Sequence, residues 1–83
     1  MDCSREYNNE SCNGGLPSYA YNYIIDHGVG TEIDYPYKGY DDVCQEDKRK
    51  GERFVVKEYQ TLTEPNVENL SKFLARGPVS VAL

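Results

Sequence analysis

Apolar positions are scattered without period through the first fifteen residues and then fall into a helical rhythm. Residues 4 to 15 are rich in Ser, Asn, Glu and Gly, which predicts a loop. From Pro17 onward, Ala20, Tyr21, Ile24 and, one turn later, His27 or Gly28 share a face, predicting a helix over about 17–27. Pro17 suits a first helical position, where its missing N–H costs nothing, and Gly28 suits the residue that closes the last turn. From Gly28 to the neighbourhood of Arg53 the pattern is lost among Gly30, Pro36, Gly39 and Asp41-Asp42, then a charged stretch. So long a segment without regular structure is unusual in a compact domain and becomes acceptable if a disulfide pins it at Cys44. Phe54-Val55-Val56-Lys57-Glu58-Tyr59 is β-branched and aromatic and predicts a strand. Asn66 can cap a second helix with the stripe Val67, Leu70, Phe73 and Leu74, ended by Gly77-Pro78. Val79, Val81 and Leu83 then alternate with Ser80 and Ala82, the period of a strand with one buried face. The chain stops inside that strand, an unusual place for a native C-terminus because half a ladder goes unpaired. The fold class expected is α+β.

Composition narrows the functional classes. Eighty-three residues hold at most one domain, and a chain this short buries only a little over ~60% of its unfolded surface. Eight tyrosines, no tryptophan and a mean hydropathy of −0.74 thin the core further. A net charge of −5 argues against nucleic acid and anionic membranes as partners, since both require clustered Lys and Arg. The one basic cluster, Lys48-Arg49-Lys50, is flanked by Glu46, Asp47 and Glu52 and reads as a solvated loop. No apolar run approaches the ~20 residues of a membrane-spanning helix. No secretory leader follows Met1, because Asp2 and Cys3 come at once. Three cysteines are an odd number, which in a secreted chain implies a missing partner or a reactive thiol. Cys3, Cys12, His27 and Cys44 lack the closely spaced pairs of structural zinc sites, so neither a metal nor any other cofactor is expected. Asn9-Glu10-Ser11 and Asn69-Leu70-Ser71 are glycosylation sequons of the kind that arise by chance.

Three blocks change the picture. Cys12-Asn13-Gly14-Gly15-Leu16, then Glu32-Ile33-Asp34-Tyr35-Pro36-Tyr37, then Gly77-Pro78-Val79-Ser80-Val81-Ala82-Leu83, in this order and spacing, resemble the interior of a papain-family cysteine peptidase of the cathepsin L-like branch. The resemblance runs from Cys3 to Leu83. It implies the two-lobed papain-like fold, with about 1–52 a helical-lobe segment and about 53–83 the start of the β-rich lobe. It also implies that Cys3 pairs with Cys44, while Cys12 pairs with a cysteine outside the chain. The family's nucleophile lies upstream of the Cys-Asn-Gly-Gly block, and its histidine and asparagine stand roughly 130–150 residues beyond that nucleophile. The chain is therefore expected to be an interior piece of a peptidase that carries no catalytic residue. Its one histidine, His27, reads as an ordinary helix C-terminal residue complementing the dipole.

What the resemblance does assign is a substrate platform. Papain-like enzymes bind an extended peptide against a glycine whose N–H and C=O pair with it, and a side chain there would obstruct the approach. Gly15 matches that glycine and Gly14 its neighbour at the next subsite. Pro17 and Ala82 match positions lining the main specificity pocket, with Leu16 adjacent, and Glu10 matches the rim of the next subsite. Position 17 is more often Met in the cathepsin L-like branch, and Tyr19 and Tyr21 are bulkier than in many relatives, which leaves the pocket's shape open. The implied partners are a protein or peptide substrate, the enzyme's own propeptide and cystatin-like inhibitors. The implied location is lysosomal or extracellular. Two functional readings follow: part of a thiolate–imidazole endopeptidase, or a truncated, inactive papain-like binding or inhibitory module. The sequence on either side of the chain discriminates them.

Overall fold

A computed structural model describes residues 1–49, 51 and 53–83. Its longest element is helix α1, Pro17–His27. Leu16 precedes it in an extended conformation, and Pro17 occupies the first turn, where no N–H is needed. Gly28 stops it with φ +74°, and its N–H reaches the Ile24 carbonyl at 2.7 Å. The side chain that α1 buries most is Tyr23, with Ala20, Tyr21 and Ile24 half-buried beside it. A short 3-10 turn, Arg5–Tyr7, lays the Tyr7 ring edge-on against Tyr23, with centroids 5.6 Å apart at 87°. The Tyr7 hydroxyl donates to Asp26 at 2.5 Å, fixing the turn to the helix's solvent edge. Within the segment expected as a loop, a second 3-10 turn spans Ser11–Asn13.

The long irregular stretch is pinned as its length requires. Cys3 and Cys44 form a disulfide, with Cα atoms 4.7 Å apart across 41 residues of sequence. Tyr35 reinforces it, donating to Asp2 at 2.8 Å and accepting from the Gln45 N–H at 3.0 Å. Burial is the first cause of the upward shift in the Tyr35 hydroxyl's pKa. A third 3-10 turn, Glu46–Arg49, follows at once. Lys50 and Glu52, part of the charged stretch, lie outside the described residues.

Helix α2, Val67–Leu74, starts where Asn66 was expected to cap it, its side chain accepting the Asn69 N–H at 2.8 Å. Leu70 and Phe73 are half-buried, whereas Val67 and Leu74 stay exposed. The helix ends three residues before Gly77, through a turn at Ala75 and Arg76.

The strands expected at Phe54–Tyr59 and Val79–Leu83 are a correction. Among the described residues neither forms, and the sheet is reduced to a single antiparallel bridge between Val29 and Phe54, with both hydrogen bonds at 2.8 Å. A strand is defined by its ladder, and β-branched composition cannot supply a partner. Phe54 finds one because Gly28 lets the chain pass closely. A Cβ at Gly28 would lie 3.1 Å from the Phe54 carbonyl oxygen and 3.3 Å from Val55 Cγ1. The α part of the expected class is therefore present and the β part is one rung long.

Closing a loop of this size removes about 4 kcal/mol of unfolded-chain entropy in the loop-closure model. Replacing Cys44 by Ser is expected to lower stability by about that amount, read by denaturant unfolding. Peptide mapping after oxidative refolding is expected to recover Cys3 joined to Cys44 with Cys12 as a free thiol. A dominant bridge from Cys12 to either of the others would contradict this arrangement.

Candidate functional site

The Cys12–Leu16 turn is held by two side chains that hydrogen-bond its backbone. Asp41 accepts the Cys12 N–H at 2.9 Å and lies 3.8 Å from the Arg5 guanidinium. Asn9 accepts the Leu16 N–H on Oδ1 at 3.0 Å, while its Nδ2 donates to the buried Ser4 hydroxyl at 3.1 Å. Between these anchors the backbone closes on itself, with Glu10 N–H on the Gly14 carbonyl at 2.8 Å and Asn13 N–H on the Glu10 carbonyl at 3.0 Å. Gly14 has φ +113°, a conformation that L side chains rarely adopt.

Gly15 is required for a different reason. A Cβ there would run into the Asn9 amide, coming 2.8 Å from its Cγ. Asn9 cannot step aside without giving up its bonds to Leu16 and Ser4. One side of Gly15 is thus packed on Asn9, and among the described residues neither its N–H nor its C=O makes an intrachain hydrogen bond. An exposed backbone donor and acceptor on one glycine, fixed from below, are the two groups an extended peptide pairs with.

Leu16 and Pro17 lead from this glycine into an open groove of about 1300 Å³ between α1, α2 and residues 79–82. Leu70 and Phe73 contribute from α2, Tyr21 from α1, and Ala82 from the C-terminal segment. The structure thus brings three of the expected substrate-contacting residues, Leu16, Pro17 and Ala82, to one groove. Glu10, Gly14 and Gly15 do not line it, and all six are exposed. Sequence reasoning passed over Asn9, seen only as part of a sequon, and Asp41, seen only as part of a turn. No periodicity marks a side chain that acts on a neighbouring backbone.

The reactive groups point away from nucleophilic chemistry in this turn. Cys12 is exposed and free, and the hydrogen bond to Asp41 is the first cause raising its thiol above the ordinary range. Asp41 is correspondingly lowered, first by the Cys12 backbone N–H. A catalytic thiol needs the opposite shift, toward the thiolate. His27 stacks on Tyr23 at 4.9 Å and meets the Tyr7 ring edge-on at 5.9 Å, an aromatic setting at the end of α1. Among the described residues no group of three or more His, Cys, Asp and Glu side chains could hold a metal ion, and no helix is long and apolar enough to cross a membrane.

The turn thus sets an exposed glycine backbone beside an open groove. Comparison with known proteins gives the family. The model of the papain family cysteine proteases matches residues 1–83, and the chain belongs to that family. It is 45% identical over 85 residues to a cathepsin L-like protein of Caenorhabditis elegans and 42% identical over 85 residues to a cathepsin L-like peptidase of Aedes aegypti. A probable cysteine protease of Arabidopsis thaliana is 39% identical over 84 residues. Each match covers all of this chain but only 25%, 25% and 18% of the respective relative. No solved structure matches the chain significantly.

Two outcomes are expected from this geometry. Gly15→Ala should lower stability by about 1–3 kcal/mol, because the new methyl must displace a doubly bonded Asn9. Adding Asn9→Ala makes room for that methyl, so the double variant should lose less than the two single losses summed, as denaturant unfolding would show. Replacing Asp41 by Asn removes the charge that disfavours the thiolate. The Cys12 thiol should then titrate lower and be alkylated faster by iodoacetamide near neutral pH. An unchanged rate–pH profile would show that Asp41 does not govern this thiol.

Proposed function

We propose that this chain supplies the substrate-binding wall of a cysteine endopeptidase, whose thiolate and imidazole come from elsewhere in the protease. The observation that carries the reading is Gly15, whose N–H and C=O are free while Asn9 supports it from beneath, at the mouth of an apolar groove. An extended substrate would lie along this glycine as an added strand, with Gly14 serving the next subsite and Glu10 its rim. Leu16, Pro17 and Ala82 would receive the side chain two residues before the cut. In the assembled two-lobed fold, residues up to about 52 would belong to the helical lobe and the remainder would open the β-rich lobe. The partners in this reading are a protein or peptide substrate, a propeptide and cystatin-like inhibitors, in a lysosomal or extracellular setting.

The raised Cys12 thiol and the aromatic packing of His27 support the view that the chain alone does no hydrolysis. They equally suit a catalytically inactive binding or inhibitory module of the same family. The two readings part when the complete polypeptide encoded around this segment is expressed and given dipeptidyl fluorogenic substrates. Hydrolysis blocked by an epoxide thiol-protease inhibitor supports the enzyme. Tight peptide binding without turnover supports the module.

For the enzyme, the three residues assigned to the pocket, Leu16, Pro17 and Ala82, carry no charge, while Glu58 and Arg76 line the groove elsewhere. Burying a Leu- or Phe-sized side chain there is worth roughly 1.5–3 kcal/mol, about a 10- to 150-fold preference. A charged side chain would lose water with no partner among these three residues. A substrate library varied at that one position should therefore rank Leu and Phe above Arg and Lys. The reverse order would remove the pocket assignment and leave the family unaffected.

A further inference from the structure

Of the six asparagines in the chain, Asn13 is the one that precedes a glycine. It ends the 3-10 turn Ser11–Asn13, and its exposed side chain makes no hydrogen bond among the described residues. The other asparagines are each followed by a residue with a side chain, and most are held. Asn9 is bonded through both ends of its amide, Asn66 caps α2, and Asn69 donates to the Glu64 carbonyl at 2.9 Å. Asn22 lies inside α1. The backbone nitrogen after Asn13 belongs to Gly14, and its bond to the Ser11 carbonyl is 3.4 Å long, beyond the usual span. The neighbouring bonds donated by Asn13 and Glu10 are 3.0 and 2.8 Å. All these partners lie between residues 10 and 14, so the slack bond is a property of the turn itself.

We propose that Asn13 is a site of spontaneous deamidation, in which the Gly14 backbone nitrogen attacks the Asn13 side chain and the product unsettles the Gly14–Gly15 ledge. Gly14 N forms a bond to Asn13 Cγ while the Cγ–Nδ2 bond breaks, and ammonia leaves with the proton shed by Gly14 N–H. The five-membered imide then takes up one water. Opening at Cγ gives aspartate; opening at the main-chain carbonyl gives isoaspartate, with the chain rerouted through Cβ and Cγ. Water is the only other reactant, and a ledge open to a peptide is open to water. Attacker and target sit on adjacent residues, so the step is intramolecular. Gly14 offers no Cβ to block the approach, and a 3-10 turn has weak hydrogen-bond geometry to resist it. Isoaspartate adds one main-chain atom and a negative charge directly before Gly14. Asp41 and Asn9 hold the turn at Cys12 and Leu16, so the added length falls between them, on Gly14 and Gly15. The effect on peptide binding rests on the Gly15 reading given above, whereas the modification itself does not.

The test incubates the complete protein encoded around this segment near neutral pH and maps its peptides at intervals. Asn13 is expected to show the mass change of an amide becoming an acid and to become a substrate for isoaspartyl methyltransferase. Asn8, Asn22, Asn66 and Asn69 should stay amides in the same digests. KM for an extended peptide substrate, or Kd if the protein binds without turnover, should rise about threefold to tenfold in the modified fraction, the span of one lost backbone hydrogen bond. Asn13→Gln must close a six-membered ring, which is slower, and should keep its own starting value through the same incubation. An Asn13 that remains an amide in the folded protein, over the time a free peptide of residues 8–18 takes to convert, overturns the proposal. So does conversion of Asn13 with unchanged KM or Kd, or an equal drift in the Asn13→Gln protein. Gly15→Ala with wild-type peptide affinity would remove the ledge reading and the expected change in KM, while the mapping still decides whether Asn13 is modified.

Discussion

The Cys3–Cys44 bond is the constraint on which the rest of the arrangement depends. Among the described residues only Tyr23 is a buried apolar side chain, while Ile33 stays 92% exposed and Val67 84% exposed. Burial of that extent cannot order a chain of this length against its conformational entropy. The disulfide removes much of the freedom of everything between its ends, which includes α1 and the whole Cys12–Leu16 turn. Tyr35 extends the effect by hydrogen-bonding both flanks of the bridge, at Asp2 and at Gln45. Asp41 and Asp42 then fall close to the start of the chain, and Asp41 reaches Arg5 and Cys12. The covalent link thus acts on the candidate site through the carboxylate that precedes Cys44 by three residues.

The ledge itself is made of backbone and positioned by side chains. Gly14 and Gly15 present no side chain, so their placement must come from neighbours, and Asn9 and Asp41 provide it from either end of the turn. Asn9 is suited to this because an amide accepts and donates at once, and here it does both, to Leu16 and from its Nδ2 to Ser4. A carboxylate at the same place could not donate to Ser4, and an aliphatic residue could not hold Leu16. Such pre-ordering matters for strand addition, in which each backbone hydrogen bond is modest and ordering the receiving strand costs free energy.

The helices were legible in the sequence because they depend on local signals. Pro17, Gly28 and Asn66 act on residues within four positions of themselves, and all three do in the structure what their chemistry indicates. The family was legible because its motifs combine rare neighbours, Asn-Gly-Gly after Cys and Tyr-Pro-Tyr further on. The strands were not, since Phe54–Tyr59 has strand composition but a partner at Phe54 alone, and partnership is a long-range property that composition does not encode. The stripe on α1 pointed to Ala20 and Ile24, whereas the most buried residue is Tyr23. Its neighbour in space is Tyr7, a residue from a segment with no apolar period. Of the expected substrate residues, Leu16, Pro17 and Ala82 share a groove across more than sixty positions of sequence, a convergence that spacing could not reveal. The supports Asn9 and Asp41 were missed for a related reason: each acts on a neighbour's backbone, and a sequence shows types, not pairings.

The electrostatics of the turn argue for a division of labour between binding and reaction. Fixing a turn requires holding its N–H groups, and a carboxylate such as Asp41 holds one by accepting from it. A nucleophilic thiol needs nearby positive charge, and a carboxylate beside it works in the opposite direction. Both demands cannot be met at Cys12, and the structure meets the first: the same Asp41 that holds the Cys12 N–H raises the Cys12 thiol. The sign of the Asp41 shift gives this a pH range. Its pKa is lowered in the folded chain, so the contribution of its bonds is fully present above the ordinary carboxyl range and is lost as the pH falls through the lowered value. The anchor therefore holds through mildly acidic conditions.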